Sequence, residues 1–376
     1  MPSSPGLEIK KDEPLKPYTT FKIGGPAQFF AEVRNQEEIR RAYAFWQEQS
    51  IGRPPFVLGG GSNILVSDGG YDGLVIHMAR RGINVAEENA GAATLSIAAG
   101  EKWDDVVAYA VARGWWGIEN LSHIPGQAGA ALVQNIGAYG QQVSNALHSA
   151  EVFDLREQTV KTLSAPECEF GYRRSIFNTT RKSEFVILAL ALRLNPQGKR
   201  DLSYPDVQSY FEERGIGRPS LLQIRTAITE IRDRKFPYPQ EERGGNAGSF
   251  FKNLVLTSAE YQALAARIQV EFGEEAAKRL RGVKRGGAHA RQIRVPTAFL
   301  IELCGLKGWQ EREARVNPTQ PLVLLNMGGA SASDVLRLAK HVRRTIHHWT
   351  GMQIALEPEL VGFNQDELDE FLSLED

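Results

Sequence analysis

The sequence predicts an α+β fold in more than one domain. A chain of 376 residues is too long for one ordinary hydrophobic core. Short apolar runs typical of strands alternate with stretches whose apolar residues recur at helical spacing. In the last third, a buried strand lies between two predicted helices, which is typical of helices packed on a small sheet.

The first 80 residues predict a strand–helix–strand unit. A strand at 28–33 precedes Asn35, a predicted N-cap with Glu38 as its capping-box partner, and the helix ends before Pro54. Short apolar strands follow at 56–58, 64–66 and 74–76. Further on, residues 94–98 predict a strand, and the next helix carries its apolar face on Trp103, Val106, Val107, Ala110 and Val111.

The middle and last parts of the chain differ in pattern. A Gly/Ala-rich stretch at 124–140 lacks regular periodicity, and later strands are predicted at 150–153, 159–163 and 185–194. Residues 199–239 predict a polar connector with a helix near 219–233. From residue 240 we predict helices at 258–268, near 296–304 and from 331 onward, with a strand at 322–325. The apolar face of the last helix comprises Val335, Leu338, Ala339, Val342 and Ile346. The acidic residues after Asn364 predict a loosely packed terminus.

Composition argues against several classes of function. The formal net charge of -1 argues against nucleic acid or an anionic membrane as the main partner. No apolar run approaches the ~20 residues of a membrane span, and the first residues lack the features of a signal peptide. We therefore expect a cytoplasmic protein, monomeric, acting on a small molecule. Cys168 and Cys304 predict buried free thiols, and the seven scattered histidines suggest no metal site.

The run Gly-Asn-Ala-Gly-Ser-Phe-Phe-Lys-Asn at 245–253 is the most informative motif. It sets Ser249, Lys252 and two amides on a Gly-rich loop around two large aromatic residues. Glycines let backbone approach a ligand closely, and polar side chains on loops often carry chemistry. A tight turn with a capping serine is the alternative interpretation.

Two further Gly-rich stretches predict a phosphate-bearing ligand. Gly-Gly-Gly-Ser-Asn at 59–63 directly follows a strand, and its backbone N–H groups suit a pyrophosphate, although a plain strand connection is the alternative. It matches neither a P-loop nor the dinucleotide fingerprint. The stretch at 124–140 is rich in small residues that let a chain lie along a cofactor. A helix–helix contact would explain its small residues but not the grouping of Gln134, Asn135 and Tyr139.

With these motifs the chain resembles the UDP-N-acetylenolpyruvoylglucosamine reductase family. The matching motifs follow the family's order over most of the chain and lie at 18–25, 59–63, 124–126, 135–140, 170–177, 245–253, 306–308 and 356–359. The resemblance implies an FAD-binding fold of the vanillyl-alcohol oxidase (PCMH) type in two subdomains, plus a C-terminal α+β substrate-binding domain. The implied boundaries are 17–80 and 81–198 for the subdomains, 199–239 for a connector with a substrate loop, 240–363 for the C-terminal domain and 364–376 for an acidic tail.

The resemblance also implies the chemistry. NADPH would reduce a non-covalent FAD, which would then reduce UDP-N-acetylglucosamine enolpyruvate to UDP-N-acetylmuramate for peptidoglycan. The implied FAD contacts come from the Gly-rich stretches and are Gly59, Gly60, Gly61, Ser62, Asn63, Ile124, Pro125, Gly126, Gly129, Ala130, Asn135, Gly137, Ala138, Tyr139 and Gly140.

Three catalytic residues match the family's motifs. Arg173 has a planar guanidinium suited to the substrate carboxylate. Its neighbour Arg174 is expected to be either solvent-facing or structural. Ser249 matches the proton donor, and Glu359 matches the group that stabilises the enolate-like species. Glu359 would need a pKa raised by burial in order to donate a hydrogen bond. Glu357 is the weaker candidate, because in a strand it would point the opposite way.

Four softer matches concern the substrate: Tyr204 on a closing loop, Lys235 and Asn253 near the diphosphate, and Gln320 as a polar contact. Two features depart from the family. Arg315-Val316-Asn317-Pro318 stands where Ala-Val-His is usual. A basic run without a clear counterpart comprises Lys278, Arg279, Arg281, Lys284 and Arg285. We expect a solvated face there rather than a contact to the NADPH 2′-phosphate.

Two other functions compete. A flavin oxidase or dehydrogenase of the same fold, acting on a small alcohol or sugar, is disfavoured because many such oxidases tether FAD to a histidine near the first Gly-rich loop. Here Ser62 and Asn63 hold that position, and His77 lies on a predicted strand. A binding protein without catalysis is disfavoured because Arg173, Ser249 and Glu359 are all present.

Overall fold

The structure is a computed structural model that describes residues 6–89, 91–235, 244–283, 285–286 and 292–374, the pair 285–286 by backbone alone. The chain divides into two compact units, taken over their described residues. The first comprises Met1–Glu13, Ala27–Gly61 and Asp72–Arg234, and the second comprises Pro14–Pro26, Ser62–Tyr71 and Lys235–Asp376. Within the described ranges, no helix is long and apolar enough to cross a membrane.

The elements of the first part of the chain are β1 (Ile9–Pro14), β2 (Pro26–Val33), α1 (Gln36–Glu48), β3 (Phe56–Leu58), β4 (Ile64–Val66), β5 (Tyr71–Met78), β6 (Ile83–Glu88), β7 (Ala93–Ala98), α2 (Trp103–Ala112), α3 (Ala128–Val133), β8 (Gly137–Ala138), β9 (Gln141–Gln142), β10 (Leu147–Asp154), β11 (Thr159–Ser164), β12 (Phe185–Leu194), α4 (Pro205–Glu212) and α5 (Leu221–Lys235). Those of the last part are β13 (Leu254–Leu256), α6 (Ser258–Val283), β14 (Arg285–Gly286), β15 (Ile293–Val295), α7 (Thr297–Leu303), β16 (Gln310–Glu311), β17 (Ala314–Val316), β18 (Leu324–Asn326), α8 (Ala332–Thr350), β19 (Glu359–Val361) and α9 (Gln365–Leu372). Short 3-10 turns occur at Lys16–Tyr18, Glu119–Leu121, Val143–Asn145, Pro166–Cys168 and Ile176–Asn178.

Two sheets organise the first unit. One has the strand order β1-β2-β5-β3, in which β3 and β5 are parallel, and the other has the order β11-β10-β12-β7-β6. The apolar strand β12 lies at the centre of the second sheet and pairs antiparallel with β10 and β7. Helix α2 packs its predicted apolar face into the same core, where Trp103 is 1% exposed and donates from Nε1 to the Leu121 carbonyl at 3.0 Å.

The second unit packs helices against short sheets. Its sheets have the orders β13-β15-β14 and β16-β17-β18, and β4 pairs in parallel with β19. Helix α8 begins at a capping box formed by Ser331 and Asp334 and buries the predicted stripe that includes Val335, Leu338 and Val342. The predicted helices near 258–268, 296–304 and from 331 are therefore confirmed, with α6 longer than expected and kinked at Gly273.

The structure differs from the sequence analysis in three places. Within its described residues the connector holds α4 in addition to the predicted helix, which is α5. Pro205 occupies the first turn of α4, where the N–H that proline lacks would have no helical partner. The 124–140 stretch contains the short helix α3. The acidic tail is not loose over α9, since Asn364 and Glu367 form a capping box and Phe371 is 7% exposed in the core of the second unit.

Candidate active site

The predicted FAD contacts lie on three Gly-rich stretches: the first at 59–63, the second at 124–130 and the third at 135–140. The first and second touch in the first unit. A Cβ added to Gly60 would lie 2.6 Å from the Cα of Gly126, and one added to Gly59 would lie 2.7 Å from the Cβ of Ala130. Both distances are far inside ordinary carbon–carbon contact. Glycine at 60 is therefore required for the two stretches to lie together. Gly129 has a different reason for being glycine, since its added Cβ would meet Ala99 at 2.7 Å.

The residue before Ile124 and Pro125 is held on three sides. His123 has a left-handed φ of 60°, which is strained for a residue with a Cβ. Its N–H donates to Asp104 Oδ1, its carbonyl accepts from Arg232 Nε at 2.9 Å, and its Nε2 lies 2.8 Å from Asp233 Oδ1. Asp104 also receives both ends of the Arg225 guanidinium, at 2.7 and 2.8 Å. The start of the second stretch is thereby fixed by side chains of α2 and α5.

The third stretch also has strained backbone. Asn135 and Tyr139 have φ values of 48° and 47°, and Gly140 follows at 91°. The Asn135 amide donates to Gln142 Oε1 at 3.0 Å and to the Gly171 carbonyl at 3.1 Å. Such strain persists where the surroundings over-determine it, and it clusters at ligand sites.

Tyr139 connects this stretch to the predicted substrate connector. Its ring lies 5.1 Å from that of Tyr204 in an edge-to-face arrangement, within a cluster formed with α4 and α5. Burial raises the pKa of the Tyr139 hydroxyl to about 12, although Arg232 acts in the opposite direction. Tyr204 itself is 40% exposed. Two residues predicted to contact different ligands, FAD and substrate, are thus neighbours.

Arg173 lies over the third stretch. Its Nη1 donates to the Gly137 carbonyl at 3.2 Å, and its own carbonyl accepts from Asn178 Nδ2 at 3.1 Å. Its φ of 54° is left-handed, another strained position in this part of the first unit. Arg174 is exposed, as expected from the sequence.

In the second unit, backbone pairing on two sides and the burial of Phe250 hold the Ser249 segment in place. Ser249 pairs with Val323, and Phe250 donates its N–H to Leu322 O at 2.6 Å and accepts from the Glu357 N–H at 2.9 Å. Phe250 is fully buried and contacts Phe251 edge to face at 5.6 Å. The aromatic pair of the motif therefore anchors to the core the segment that carries the serine.

The glycine at the start of this motif has a structural reason. A Cβ on Gly245 would lie 2.1 Å from the Thr20 carbonyl oxygen, so Gly245 lets two backbone segments of the second unit meet. Asn246 reinforces the same contact, since its carbonyl accepts from Thr20 Oγ1 at 2.7 Å. Backbone approach to a ligand, our reason for this glycine, is not needed to explain it.

Glu359 lies beside the end of the first Gly-rich stretch. The parallel pairing of β4 and β19 sets Glu359 opposite Ile64, and the Glu359 N–H donates to the Asn63 carbonyl at 3.0 Å. Asn63 Nδ2 in turn donates to the Glu357 carbonyl at 3.3 Å. Strand β19 begins only at Glu359, so the alternation argument against Glu357 does not apply. Both glutamates are partly buried.

The remaining substrate candidates lie in the second unit. Asn253 Oδ1 accepts the first N–H of α7, from Thr297, at 3.1 Å, which gives this side chain a capping role. Lys235 ends α5, and its carbonyl accepts from Asn317 Nδ2 at 3.0 Å. Asn317 also accepts from the Gln320 N–H at 3.3 Å. Sequence reasoning noted Asn317 only as a departure, and its contacts to Lys235 and Gln320 were missed.

The basic run contains no predicted site residue, and the same is true of a groove that runs along α8. Arg279 and Arg281 pair with Glu302 and Glu274, each at 2.6 Å on the exposed surface, as expected of a solvated face. The Lys284 and Arg285 side chains lie outside the described residues. A groove of about 510 Å³ is lined mainly by α8, with basic residues and Trp349. Among described residues, no cluster suited to a metal ion occurs.

The comparisons with known proteins agree with this geometry. Residues 27–164 match the FAD binding domain model, and residues 238–361 match the model of the UDP-N-acetylenolpyruvoylglucosamine reductase C-terminal domain. The reductase of Flavobacterium johnsoniae is 33% identical over 94% of this chain and 100% of its own length. The Pseudomonas putida reductase is 36% identical, over 92% and 97%.

A solved structure shows the same likeness in three dimensions. The crystal structure of UDP-N-acetylenolpyruvylglucosamine reductase from Thermus caldophilus superposes with a TM-score of 0.63 at 25% identity, covering 94% of this chain and 98% of that one. The expected fold, an FAD-binding fold of the vanillyl-alcohol oxidase type followed by a C-terminal substrate domain, is confirmed. The chain belongs to the UDP-N-acetylenolpyruvoylglucosamine reductase family.

Proposed function

We propose that this protein reduces UDP-N-acetylglucosamine enolpyruvate to UDP-N-acetylmuramate, with bound FAD as cofactor and NADPH as reductant. Family membership over 94% of the chain supports this activity. The observation that carries it is the parallel pairing of β4 with β19, which brings Asn63 of a predicted flavin loop to the backbone of Glu359. The product is a peptidoglycan precursor, so we also infer roles in cell-wall growth, cell shape and division. Because nucleotide sugars and NADPH are cytoplasmic metabolites, we place the protein in the cytoplasm.

The residues present fit FAD. The contact between Gly60 and Gly126, which we call the cofactor cradle, leaves no room for a Cβ at Gly60, so the backbones of the two stretches meet there with no side chain between them. The Ser62 hydroxyl and the Asn63 amide follow directly in the chain, and such donors suit a pyrophosphate. We propose that the stretches at 59–63, 124–130 and 135–140 hold the cofactor. When bound, FAD carries the hydride from NADPH to the substrate.

Three side chains are proposed to serve the reaction. Hydride addition at the terminal carbon of the enol ether leaves an electron pair on the neighbouring carbon, delocalised into the carboxylate. The Arg173 guanidinium would neutralise the carboxylate oxygens, and Glu359 would stabilise the same enolate-like species. The Ser249 hydroxyl would then give its proton to the neighbouring carbon and regain one from solvent. Phe250, fully buried next to Ser249, anchors the backbone that carries this hydroxyl.

The substrate's uridine diphosphate would be held by Lys235, Asn253 and Gln320, with Tyr204 on the connector closing over it. Lys235 supplies a compact positive charge suited to a phosphate. Gln320 begins the turn that leads to Val323, the partner of Ser249, since its carbonyl accepts from the Val323 N–H at 2.9 Å.

An anaerobic pair of half-reactions tests the proposal. NADPH should bleach the yellow absorbance of the FAD-loaded protein, and UDP-N-acetylglucosamine enolpyruvate should then restore it with oxygen excluded. Bleaching without return would keep the flavin fold and reject the substrate. Protein that binds no FAD after incubation would reject the cofactor assignment.

A serine variant tests the proton donor. Ser249→Ala should be bleached by NADPH at the wild-type rate and recover about 10²–10⁴-fold more slowly, which is the usual contribution of a general acid. Ser258→Ala, an exposed serine at the start of α6, is the matched control and should recover normally. Equal recovery rates in the two variants would remove Ser249 from the mechanism.

A further inference from the structure

Asn317 stands at the centre of a hydrogen-bond network in the second unit. Its side chain is buried, with 2% of the residue exposed. Nδ2 donates to the Lys235 carbonyl at 3.0 Å. Oδ1 accepts from the Thr319 N–H at 2.9 Å, the Thr319 hydroxyl at 2.8 Å and the Gln320 N–H at 3.3 Å. One amide thereby joins the end of α5 to the turn that carries Gln320.

The same turn is attached to the Ser249 segment. The Asn317 N–H donates to the Val323 carbonyl at 2.9 Å, and Val323 pairs with Ser249. Leu322 accepts the Phe250 N–H at 2.6 Å. These bonds join main-chain atoms only, so replacing the Asn317 side chain should leave the Ser249 segment in place while it frees Lys235 and the Gln320 turn.

We infer that Asn317 is a positioning residue that sets Lys235 and Gln320 for the diphosphate-bearing substrate. This inference rests on the proposed function. Nδ2 donates to Lys235 and Oδ1 accepts three hydrogen bonds inside the protein, so we assign the amide an action through Lys235 and Gln320 rather than on the ligand. A buried amide that loses its partners leaves unsatisfied groups behind, which makes the position intolerant of apolar replacement. Asn317 is also the residue that stands where the family usually has a histidine.

The test is steady-state kinetics with UDP-N-acetylglucosamine enolpyruvate on FAD-loaded protein. Asn317→Ala should raise KM for this substrate about tenfold, the value of one lost hydrogen-bonded arrangement, with kcat near that of the wild type. Asn317→Ser is a milder substitution. The serine hydroxyl can still accept from the N–H of Thr319, but the side chain is too short to reach the Lys235 carbonyl. It should also raise KM.

A double-variant background distinguishes positioning from a general structural role. When Lys235 and Gln320 are both replaced by alanine, adding Asn317→Ala should change KM little further, because the groups it positions are gone. A full tenfold rise in that background would overturn the inference. Thr350→Val is the stability control, since it removes a buried hydroxyl of the second unit that bonds Ile346 O at 2.6 Å. It should lower Tm without raising KM.

The outcomes separate this inference from the proposed function. Wild-type protein that does not turn over the enolpyruvyl substrate would overturn the function and the inference together. Wild-type turnover, with KM unchanged in both Asn317 variants, would overturn the inference alone. Circular dichroism at the assay temperature ensures that only folded variants are compared.

Discussion

Replacing Gly60 by alanine tests the proposed cofactor cradle directly. The added Cβ would lie 2.6 Å from Gly126 Cα and 3.0 Å from its carbonyl carbon. Carbon atoms in contact prefer about 3.5–4.0 Å, so the two stretches must separate by roughly 1 Å. The neighbours are backbone atoms, which cannot turn aside as a side chain would.

The expected magnitude follows from that displacement. Forcing extra atoms into a packed site typically costs about 1–3 kcal/mol. If the displaced loops hold FAD, affinity should fall about 10–100-fold, since each 1.4 kcal/mol is a factor of ten. FAD titration by quenching of flavin fluorescence gives Kd, and Tm of the FAD-free protein reports the cost to folding.

Gly52→Ala is the matched control in the same unit. Gly52 is exposed, and an added Cβ there meets no atom within 4 Å. This variant should bind FAD with wild-type affinity. The reasoning is refuted if Gly60→Ala lowers Tm but leaves Kd for FAD unchanged, because the contact would then serve packing alone.

Three other expectations concern titratable groups. Burial raises the pKa of Asp104, but the Arg225 guanidinium and the His123 N–H outweigh it and leave that pKa lowered. Arg225→Met should therefore destabilise the protein by about 1–2 kcal/mol at pH 7. This is less than the cost of breaking a fully buried ion pair, because the Arg225–Asp104 pair is partly exposed and solvent screens it. The loss should shrink as pH falls through the folded pKa, because protonated Asp104 no longer needs its partner; urea unfolding at several pH values measures this. Burial also raises the pKa of Cys168, with Glu167 adding to it, and that of Cys304, both to about 11. Both thiols should react with Ellman's reagent at least about 100-fold more slowly in the native protein than in urea, from two pKa units of lost thiolate. Tyr139, with its pKa raised to about 12 by burial, favours the neutral hydroxyl in the fold. Its stabilising contribution is complete well below pH 10 and is lost as pH rises towards 12. From neutral pH to pH 11, Tyr139→Phe should therefore lose about 1.4 kcal/mol less stability than the wild type.

Each of these has an opposing result. A constant stability difference from neutral to acidic pH would show that Arg225 contributes packing rather than charge. If Cys168 or Cys304 reacts with Ellman's reagent as fast in the native protein as in urea, that thiol is exposed to solvent and the expectation is wrong. Parallel alkaline unfolding curves for wild type and Tyr139→Phe would show that the hydroxyl ionises in the unfolded and folded states alike.

Local pattern was enough for much of the fold. The Asn35 cap, with its side chain accepting the Glu38 N–H at 2.9 Å, and the apolar faces of α2 and α8 were all predicted from residue spacing. These features depend on neighbours within a few residues, and such interactions leave a periodic signature. Where the signature was ambiguous, prediction was incomplete or wrong. Helix α4, which opens with Pro205, was not predicted, and the acidic tail forms α9 because Phe371 reaches the core.

For the candidate site, too, some features could be predicted from local sequence and others could not. The sequence by itself determined which residue types are available and in what order, so the motifs containing Ser249, Arg173 and Glu359 identified the family before any geometry. Only the tertiary structure decided that Asn63 meets Glu359, that Gly60 lies against Gly126 and that Asn317 joins Lys235 to the Gln320 turn. The physical reason is that each contact is a backbone approach or a single hydrogen bond between segments far apart in the chain. Such pairings need only a compatible backbone and a closed loop, and they impose no repeating pattern on the residues between them.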